Sequence, residues 1–402
     1  MQDFDYLIIG AGPSGLTIAH ALLKGGVARD RLLVIEANKE AGGLCRSESV
    51  DGAPLDIGGG HFLDIRNKKT LEFLFQFMPE EEWDTYSRIA KIRIHNREID
   101  HPLEGNLWQF SKSDQVDYLE SIARTGSVAG EPMPESFETW VRWKLGDRIA
   151  EDYMLPYNRK IWSMDLEQLG TYWLYKLPDV SFRDTLRSCL EGRQFGALPA
   201  HGTFLYPKQF GYGEVWRRMG AQLGTQLLTT TPVTSIDVEN RIVNGAYRAD
   251  RIISTMPWTL WPSLADVPVE IVDFIGELVS IPIDVDYFPE AVPSAAHWIY
   301  EPRDDISYHR ILPRHNFCPG SRGYWTETNA LRSVAISHFR HHNEFAYPVN
   351  TKNKPAAVQA ILSWARTKGI IGAGRWGTWE HMNSDVAVAE ALDMARKLLG
   401  SA

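Results

Sequence analysis

The sequence lacks several features that mark specialised classes of protein. Its 402 residues contain only three cysteines, Cys45, Cys189 and Cys318, which lie far apart. This small, odd number argues against a disulfide framework or a metal cluster and predicts a reducing, cytoplasmic environment. No run of about 18 apolar residues is present, so no membrane span is expected. The first residues enter a strand without a basic segment, so no signal peptide is expected.

Positive charge is also scarce. The chain has 42 Lys and Arg against 51 Asp and Glu, a formal net charge of −9, which argues against general nucleic-acid binding. Hydrophobic residues make up 44% of the chain, enough for a sizeable core in two or three domains. These features leave the oligomeric state open, with a homodimer as one option.

The first forty residues carry a dinucleotide-binding pattern. A buried strand, DYLIIG, leads into GAGPSG, which places Gly10, Gly12 and Gly15 in the GxGxxG spacing. A periodic helix and a second strand, RLLVIEA, follow and bring Glu36 to the strand end. The glycines let the main chain approach a pyrophosphate, the helix N-terminus supplies N–H groups, and Glu36 can accept hydrogen bonds from a ribose. A dinucleotide site is therefore predicted here.

The next segment favours FAD over NAD. AGGLCRSE places a glycine pair and Arg46 after the acidic strand end, and GAPLDIGGGHFLDI follows. Together these segments resemble the FAD family that includes amine oxidases, protoporphyrinogen oxidase and UDP-galactopyranose mutase. The resemblance implies that the glycine pair and Arg46 run along the ribityl-diphosphate arm, and that glycines 58–60 lie against the isoalloxazine, where a Cβ would collide. A bulge or tight bend in a strand is the alternative explanation of these glycines.

Four further motifs resemble UDP-galactopyranose mutases within that family. They are DIGGGHF with His61, PYNRKIW with Asn158 and Trp162, SYHRIL with Arg310, and the C-terminal GRWGTWEHMNSDVAVAEAL. They occur in the family's order along nearly the whole chain. The resemblance implies a pyranose–furanose mutase in which reduced FAD acts as a nucleophile through N5 on the anomeric carbon of a nucleotide sugar, with no net redox change. NAD(P)H or dithionite would serve as the reductant.

His61 and Arg310 are the predicted catalytic residues. The resemblance places His61 over the flavin and lets Arg310 grip the diphosphate, because a planar guanidinium binds phosphate bidentately. A structural histidine and a strand-surface charge are the alternatives for the two positions. Lys160 and Lys176 are secondary candidates for the diphosphate, since Leu177 occupies the position of the second diphosphate arginine.

The segment that would read the nucleobase departs from the family. Eukaryotic mutases have Pro-Phe-Gln-Asn-Asn there, whereas this chain has Pro-Leu-Glu-Gly-Asn, with Glu104 in place of the glutamine. An ionised carboxylate only accepts hydrogen bonds, and guanine offers two neighbouring donors where uracil offers one. Glu104 therefore suggests a GDP-sugar rather than a UDP-sugar such as UDP-galactose, although a solvated loop carboxylate is an equal alternative.

The C-terminal motif departs as well. Trp379, Glu380 and His381 replace the Tyr-Arg-Tyr of bacterial mutases, and Asn383 replaces their aspartate. The tyrosine hydroxyls expected near the diphosphate are therefore missing. The indole N–H of Trp379 and the imidazole of His381 can donate hydrogen bonds in their place.

The resemblance, read position by position, gives the expected site. Cofactor contacts are predicted for Gly10, Gly12, Pro13, Ser14, Gly15, Glu36, Ala37, Gly43, Leu44, Arg46, Gly59, Gly60, His61, Val233, Gly374, Arg375, Asn383 and Ser384. Substrate contacts are predicted for Leu103, Glu104, Asn106, Tyr157, Asn158, Trp162, Lys176, Tyr308, Arg310, Trp379 and His381. No metal is expected, and the expected partner is a small-molecule nucleotide sugar.

The expected fold is α/β. A discontinuous Rossmann-type FAD domain (1–85, 205–265 and 365–402) is combined with a helical nucleotide domain (105–200) and a mainly antiparallel sheet (86–104 and 266–364). FLYPKQFGYGE is expected to be a loop that leads into a helix.

Two other functions compete with the mutase. One is an amine-oxidase-like oxidoreductase or desaturase, and the other is a non-catalytic flavin-binding scaffold.

Overall fold

A mostly parallel sheet is built around the N-terminal strand. The computed structural model describes residues 1–177, 179–196, 202–334 and 338–400, without the side chain of Lys176. In spatial order the strands are Leu227–Leu228, Leu32–Ile35, Gln2–Ile9, Tyr247–Ser254, Ile242–Val243 and Ile236–Asp237, and Ile370–Gly372 also pairs with Tyr247–Ser254. The pairings are parallel except for those of Ile242–Val243. The expected α/β class is confirmed.

Helices cover both faces of this sheet because its central strands are apolar on both sides. Ile8 packs into one core and Leu7 and Ile9 into the other, as the alternation of side chains along a strand requires. The first face is covered by Pro13–Lys24, Gly213–Leu223 and Ser384–Gly400, and the second by Val269–Gly276 and Lys354–Thr367.

The helices of the second face correct one expected boundary. Residues 266–279 and 354–364 were assigned to the antiparallel sheet, but Ile275, Ala357 and Ile361 lie in the same core as Leu7. The helix Val269–Gly276 follows directly after Pro268 and was not anticipated in a stretch expected to be rich in strands. These helices belong with the parallel sheet because its second face would otherwise be exposed to water.

A second seven-stranded sheet is almost entirely antiparallel. Its order is Phe339–Pro348, Ser280–Phe288, Tyr324–Asn329, Arg310–Pro313, Trp298–Tyr300, Ala90–Ile94 and Arg97–Asp100, and only Trp298–Tyr300 runs parallel to Ala90–Ile94. The last two strands form a hairpin whose turn residues, His95 and Asn96, both have positive φ, the conformation that matches hairpin twist. Arg310 lies directly opposite Glu327 on the neighbouring strand.

The segment 105–200, which is the expected helical domain, is mostly helical over its described residues. Its α-helices are Lys112–Ala123, Gly126–Ala129, Phe137–Ile149, Leu155–Trp162 and Phe182–Glu191, and a π-turn at Ala150–Met154 joins the third to the fourth. The remaining α-helices are Lys68–Leu74 and Gly374–Gly377. This arrangement sets the helix that carries PYNRKIW against the strand Tyr324–Asn329.

Two small sheets complete the fold. Ser47–Val50 pairs with Ala53–Asp56, and Thr203–Pro207 lies between Leu63–Asp64 and Trp83–Ser87. The segment FLYPKQF, expected to be a loop, therefore begins as a strand. The backbone of this strand pairs on both sides, and Phe204 and Tyr206 are buried. Both constraints depend on distant segments of the chain.

The described residues were expected to contain no disulfide, no membrane span and no metal site. Cys45, Cys189 and Cys318 are buried free thiols. No described helix combines the length and the apolar character needed to cross a bilayer. Within the same residues, no group of three or more His, Cys, Asp or Glu side chains could hold a metal ion.

Candidate active site at the junction of two cavities

A cavity of about 740 Å³ opens at the carboxyl ends of the strands Gln2–Ile9 and Leu32–Ile35. This is where open α/β sheets bind their ligands, and we call it the cofactor cavity. The predicted cofactor residues that line it are Gly10, Gly12, Pro13, Ser14, Glu36, Ala37, Gly43, Leu44, Arg46, His61, Val233, Gly374, Arg375 and Ser384. Asn38, Thr231, Met256, His341 and His342 line it too and were not predicted.

The three glycines of the fingerprint have different environments. At Gly12 the nearest atom to an added Cβ would be the Gly43 Cα, 3.9 Å away, so the space beside it is open to the cavity. Gly10 has a φ of +97°, which only glycine adopts readily. A Cβ on Gly15 would lie 2.0 Å from the Gly10 carbonyl oxygen. Gly15 therefore permits close packing of helix on strand and does not line the cavity, which corrects its predicted contact.

Glu36 is buried where the second strand ends, with both carboxylate oxygens engaged. One accepts from the backbone N–H of Ala11 at 2.7 Å, and the other from the backbone and side-chain N–H groups of Asn38 at 2.9 and 2.8 Å. These bonds fix the carboxylate at the cavity wall. A carboxylate held in this way suits the hydroxyl donors of a ribose.

A second cavity of about 370 Å³ lies between the helical segment and the antiparallel sheet, and we call it the substrate cavity. The predicted site residues that line it are Gly60, His61, Glu104, Tyr157, Asn158, Trp162, Arg310, Arg375, His381, Asn383 and Ser384. Residues found there but not predicted are Arg88, His101, Trp140, Lys144, Tyr153, Trp173, Trp298, Tyr300, His309 and Tyr347.

His61, Arg375 and Ser384 line both cavities and so mark their junction. Arg375 is held there by donating to the backbone carbonyls of Ala346 and Met382, each at 2.8 Å. Ser384 begins the helix Ser384–Gly400, whose N-terminus carries partial positive charge. The junction is therefore electropositive.

The imidazole of His61 is neutral at the junction. Burial, reinforced by the nearby Arg375 charge, lowers the pKa of His61 to about 4. Its Nδ1 lies 3.0 Å from the Gly59 carbonyl oxygen, which can only accept, so Nδ1 carries the proton and Nε2 is an acceptor. His61 therefore offers a lone pair at the place where the two cavities meet.

Protein contacts alone require small residues in the turn before His61. A Cβ on Gly58 would lie 2.0 Å from the Leu44 carbonyl oxygen, one on Gly59 2.7 Å from Glu327 Oε1, and one on Gly60 2.4 Å from a Leu312 methyl group. Gly58 and Gly60 line the substrate cavity, and Gly59 lines neither cavity. The predicted cofactor contact of Gly59 is thus corrected, because its missing side chain leaves room for Glu327.

Arg310 lies in the substrate cavity and forms an ion pair with buried Glu327. Its Nε donates to Glu327 Oε2 at 3.0 Å, and its Nη2 donates to the same oxygen. Burial opposes both charges. Their mutual attraction nevertheless raises the pKa of Arg310 and, together with His309, holds the pKa of Glu327 well below its usual range. Among the described residues Nη1 of Arg310 has no hydrogen-bond partner, so that end of the guanidinium is available to a ligand.

The helix Leu155–Trp162 presents a linked pair of polar groups to the substrate cavity. Trp162 donates its indole N–H to Asn158 Oδ1 at 2.9 Å, and Asn158 Nδ2 donates to the Met154 carbonyl oxygen at 2.8 Å. Tyr157 lies one residue away and packs edge-on against Tyr300. The three residues predicted from PYNRKIW are thus together in the cavity.

Glu104 lies in the same cavity as Lys144. The carboxylate is buried, and burial raises the pKa of Glu104 to about 7, while the charge of Lys144 opposes that rise. Pro102, Trp140 and Tyr153 line the cavity with them. This buried position corrects the alternative of a solvated loop carboxylate.

Four other predicted substrate contacts are wrong. Leu103 is fully buried in the main core, and Asn106 donates its Nδ2 to the Pro102 carbonyl oxygen at 2.9 Å, so neither lines a cavity. Trp379 is fully buried in the core under the parallel sheet, packed against Trp376. Tyr308 packs instead against the small apolar cluster around Ile299 and Ile311.

Lys160, one of the two lysines expected near the diphosphate, is also not available. Lys160 is fully buried and donates to the backbone carbonyls of Glu301 at 2.6 Å and Arg303 at 2.9 Å. Burial lowers the pKa of Lys160 to about 8. Both of these hydrogen bonds serve the protein interior and not a ligand. The predicted contact of Lys176 lies outside the described residues, because its side chain is not described.

The geometry of the cofactor cavity fits FAD. Gly12 and Gly43 leave open space where side chains would fill the cavity, and Glu36 presents fixed acceptors beside it. The cavity reaches the electropositive junction at Arg375 and Ser384. These residues fit an elongated dinucleotide whose reactive ring faces the substrate cavity.

Comparisons with known proteins agree with this architecture. Residues 8–77 match the family model described as an NAD(P)-binding Rossmann-like domain. A probable UDP-galactopyranose mutase of Klebsiella pneumoniae is 22% identical over 412 residues, covering 100% of this chain and 96% of that protein.

Two solved structures share the whole fold. A reduced UDP-galactopyranose mutase superposes with a TM-score of 0.88 at 22% identity, covering 100% of this chain and 95% of that one. A putative protoporphyrinogen oxidase from Exiguobacterium has a TM-score of 0.71 at 15% identity, covering 100% and 99%. With the two cavities described above, the chain is thus similar over its whole length to UDP-galactopyranose mutases and shares their fold, and FAD is the cofactor that this similarity supports.

Proposed function

We propose that this isomerase interconverts the pyranose and furanose forms of a nucleotide-linked hexose with no net redox change. The observation that supports this function is the junction, where His61, Arg375 and Ser384 line both cavities. A reaction between a cofactor ring and a separately bound sugar needs such a meeting point. When bound and reduced, FAD supplies a nucleophilic nitrogen, N5, toward the anomeric carbon.

The junction residues have distinct roles in this proposal. Arg375 and the N-terminus of the helix Ser384–Gly400 place positive charge where a reduced, anionic flavin is favoured. Neutral His61 presents Nε2 as an acceptor, which suits the N–H group of a reduced flavin better than the bare nitrogen of an oxidised one. The protein thereby favours the reduced cofactor, for which NAD(P)H or dithionite is the proposed electron donor.

Arg310 retains the departing nucleoside diphosphate. Glu327 holds the inner edge of its guanidinium, which leaves Nη1 for a phosphate oxygen. The diphosphate must return to the sugar after ring contraction, so a fixed cation raises the chance of recombination over escape. Arg310 therefore acts both in binding and in turnover.

Glu104 and Lys144 form the nucleobase end of the proposed site. An ionised carboxylate accepts from guanine N1–H and N2–H, and an ammonium donates to O6, so the pair matches the guanine edge. Uracil has a single donor, N3–H, between two acceptors, O2 and O4. One oxygen of the Glu104 carboxylate would therefore face an acceptor of the base. The proposed substrate is accordingly a GDP-linked hexose, with UDP-linked galactose as the alternative.

The amine-oxidase alternative is less compatible with the substrate cavity. Four cationic side chains, Arg88, Lys144, Arg310 and Arg375, line it against the carboxylate of Glu104. An amine substrate is a cation at neutral pH and is repelled by such a lining, whereas a nucleoside diphosphate is attracted. The charge of the cavity therefore favours the nucleotide sugar.

A panel assay tests the proposal. The protein is incubated with GDP- and UDP-linked hexopyranoses with and without dithionite, products are identified by proton NMR, and peroxide is measured in air. The proposal predicts furanose products of unchanged mass only under reduction. Aerobic peroxide formation with loss of substrate hydrogen would support the oxidase instead.

A further inference from the structure

Glu327 connects the turn before His61 to Arg310 although it lines neither cavity. Its side chain is fully buried on the strand Tyr324–Asn329. Oε1 accepts from the Gly60 backbone N–H at 2.8 Å, and Oε2 accepts from Arg310 Nε at 3.0 Å and from Nη2. One carboxylate thus holds the junction turn with one oxygen and the candidate diphosphate cation with the other.

Two further side chains of the substrate cavity meet the same carboxylate. Tyr347 donates its hydroxyl to Oε2 at 3.4 Å, and His309 Nε2 lies 3.7 Å from that oxygen. Tyr347 also receives a long hydrogen bond, 3.5 Å, from Arg310 Nη2. The orientation of these groups therefore depends on one buried residue.

We propose that Glu327 is a positioning residue that sets the orientation and charge balance of Arg310 while fixing the Gly59–Gly60–His61 turn beside the cofactor. The proposal rests on the proposed function only in that Arg310 faces the diphosphate. Gly59 belongs to the same arrangement, because any side chain at that position would displace the carboxylate of Glu327. A carboxylate is required because both of its oxygens accept, whereas an amide has one acceptor and one donor.

Two substitutions distinguish the effect of the charge of Glu327 from the effect of its side-chain length. Glu327→Gln removes the negative charge, and its single amide oxygen can accept from either Gly60 or Arg310 but not from both. The flavin midpoint potential should rise because Arg310 is left unbalanced, and kcat should fall by on the order of tenfold to hundredfold because Arg310 loses its orientation. Glu327→Asp keeps the charge but is one methylene shorter. It should lower kcat similarly, with KM within about threefold, and leave the potential unchanged.

Asp286→Asn is the matched control. Asp286 is also buried in this sheet and accepts from Arg340 Nε at 2.7 Å and Nη2 at 3.1 Å, yet neither residue lines a cavity. This variant should keep the wild-type potential and kcat, while its thermal unfolding reports the cost of removing the charge of a buried carboxylate that is paired with an arginine.

The measurements are made on the FAD-loaded protein, with midpoint potentials from dye-coupled titration. If Glu327→Asp retains wild-type kcat, or if Glu327→Gln has the potential and kcat of Asp286→Asn, the proposal is overturned. Should Glu327→Gln fail to fold, the kcat of Glu327→Asp decides. Should wild-type protein isomerise no nucleotide sugar, the proposed function fails, and the potentials of Glu327→Gln and Asp286→Asn alone decide the inference.

Discussion

Trp162 donates its indole N–H to the side-chain oxygen of Asn158, one helical turn earlier, at 2.9 Å. With the bond from Asn158 Nδ2 to the Met154 carbonyl oxygen, this fixes which end of the amide faces the substrate cavity. The hydrogen bond from Trp162 therefore orients the side-chain amide of Asn158 toward a ligand in the substrate cavity.

Removing this indole N–H should weaken nucleotide binding. Trp162→Phe leaves the Asn158 amide free to rotate, which costs about 1 kcal/mol, or roughly fivefold in Kd for the nucleoside diphosphate. Isothermal titration of the FAD-loaded protein with GDP and UDP measures it. Trp173→Phe is the control, because Trp173 lines the same cavity but donates to the Gly170 carbonyl oxygen. Equal losses in both variants would contradict the orienting role of Trp162.

The preference for guanine should depend on pH through Glu104. Burial raises the pKa of Glu104 to about 7, so its ionised fraction increases as the pH rises through that value. Because guanine binding needs the carboxylate, the affinity for a GDP-linked hexose should increase by about tenfold between about pH 6 and about pH 8. The affinity for a UDP-linked hexose should not increase, since a protonated carboxyl both donates and accepts.

Glu104→Gln provides the control for this pH effect. The amide does not titrate, so its profile for the GDP-linked hexose should be flat. A GDP-linked hexose suits the comparison because its diphosphate carries no proton that titrates in this range. Identical pH profiles for the two nucleotides in the wild-type protein would remove Glu104 from base recognition.

Replacing His61 should separate flavin binding from turnover. His61→Ala removes an acceptor at the junction but none of the main-chain groups around Gly10 and Gly12, so FAD content measured by absorbance should be retained. The kcat of the reduced enzyme should fall by about 10²-fold. His341→Ala is the control, because His341 lines only the cofactor cavity. Full turnover by His61→Ala would assign that histidine a structural role.

Turnover should not follow the titration of His61 near neutrality. Because burial and Arg375 lower the pKa of His61 to about 4, the imidazole stays neutral as the pH is varied between about 5 and about 8. Any rate loss in that range must come from another group. A wild-type profile with an inflection near 6.5 that vanishes in His61→Gln would contradict this.

Alanine at two neighbouring fingerprint glycines should have opposite consequences. The Gly12 methyl would enter open space beside Gly43, so thermal unfolding of the flavin-free protein should be unchanged while FAD affinity falls. The Gly15 methyl would meet the Gly10 carbonyl oxygen, so Gly15→Ala should destabilise the flavin-free protein by about 1–3 kcal/mol. Calorimetry and flavin titration of each variant check this. Equal unfolding temperatures would refute the packing role of Gly15.

The sequence identified the parts of the site that depend on local patterns. Gly10, Gly12 and Glu36 could be located because a strand, a glycine turn and an acidic strand end are read within forty residues. Asn158 and Trp162 lie on one face of a helix four residues apart, so their proximity followed from helical geometry. The parallel sheet followed from the alternation of apolar strands and helices.

Features that depend on distant pairing could not be read in this way. The contact of Arg310 with Glu327 joins two strands whose register no local pattern specifies. The sequence around Lys160 does not show that its ammonium donates to the backbone carbonyls of Glu301 and Arg303, which lie 141 and 143 residues away. Trp379 had a hydrogen-bonding group, but its burial depends on helices packing across the parallel sheet. Arg88 and Lys144 stood in no motif, so only the shape of the cavity revealed them.

The central claim is that the bond between the anomeric carbon and the diphosphate breaks and re-forms within the substrate cavity. A nucleotide sugar with an oxygen isotope in that bond tests it most directly, with phosphorus NMR following the label. Reduced protein should move the label from the bridging to the non-bridging positions of the phosphate, and oxidised protein should leave it in place. Label that stays in the bridge while reduced protein forms furanose, or that moves equally in oxidised protein, would contradict the account.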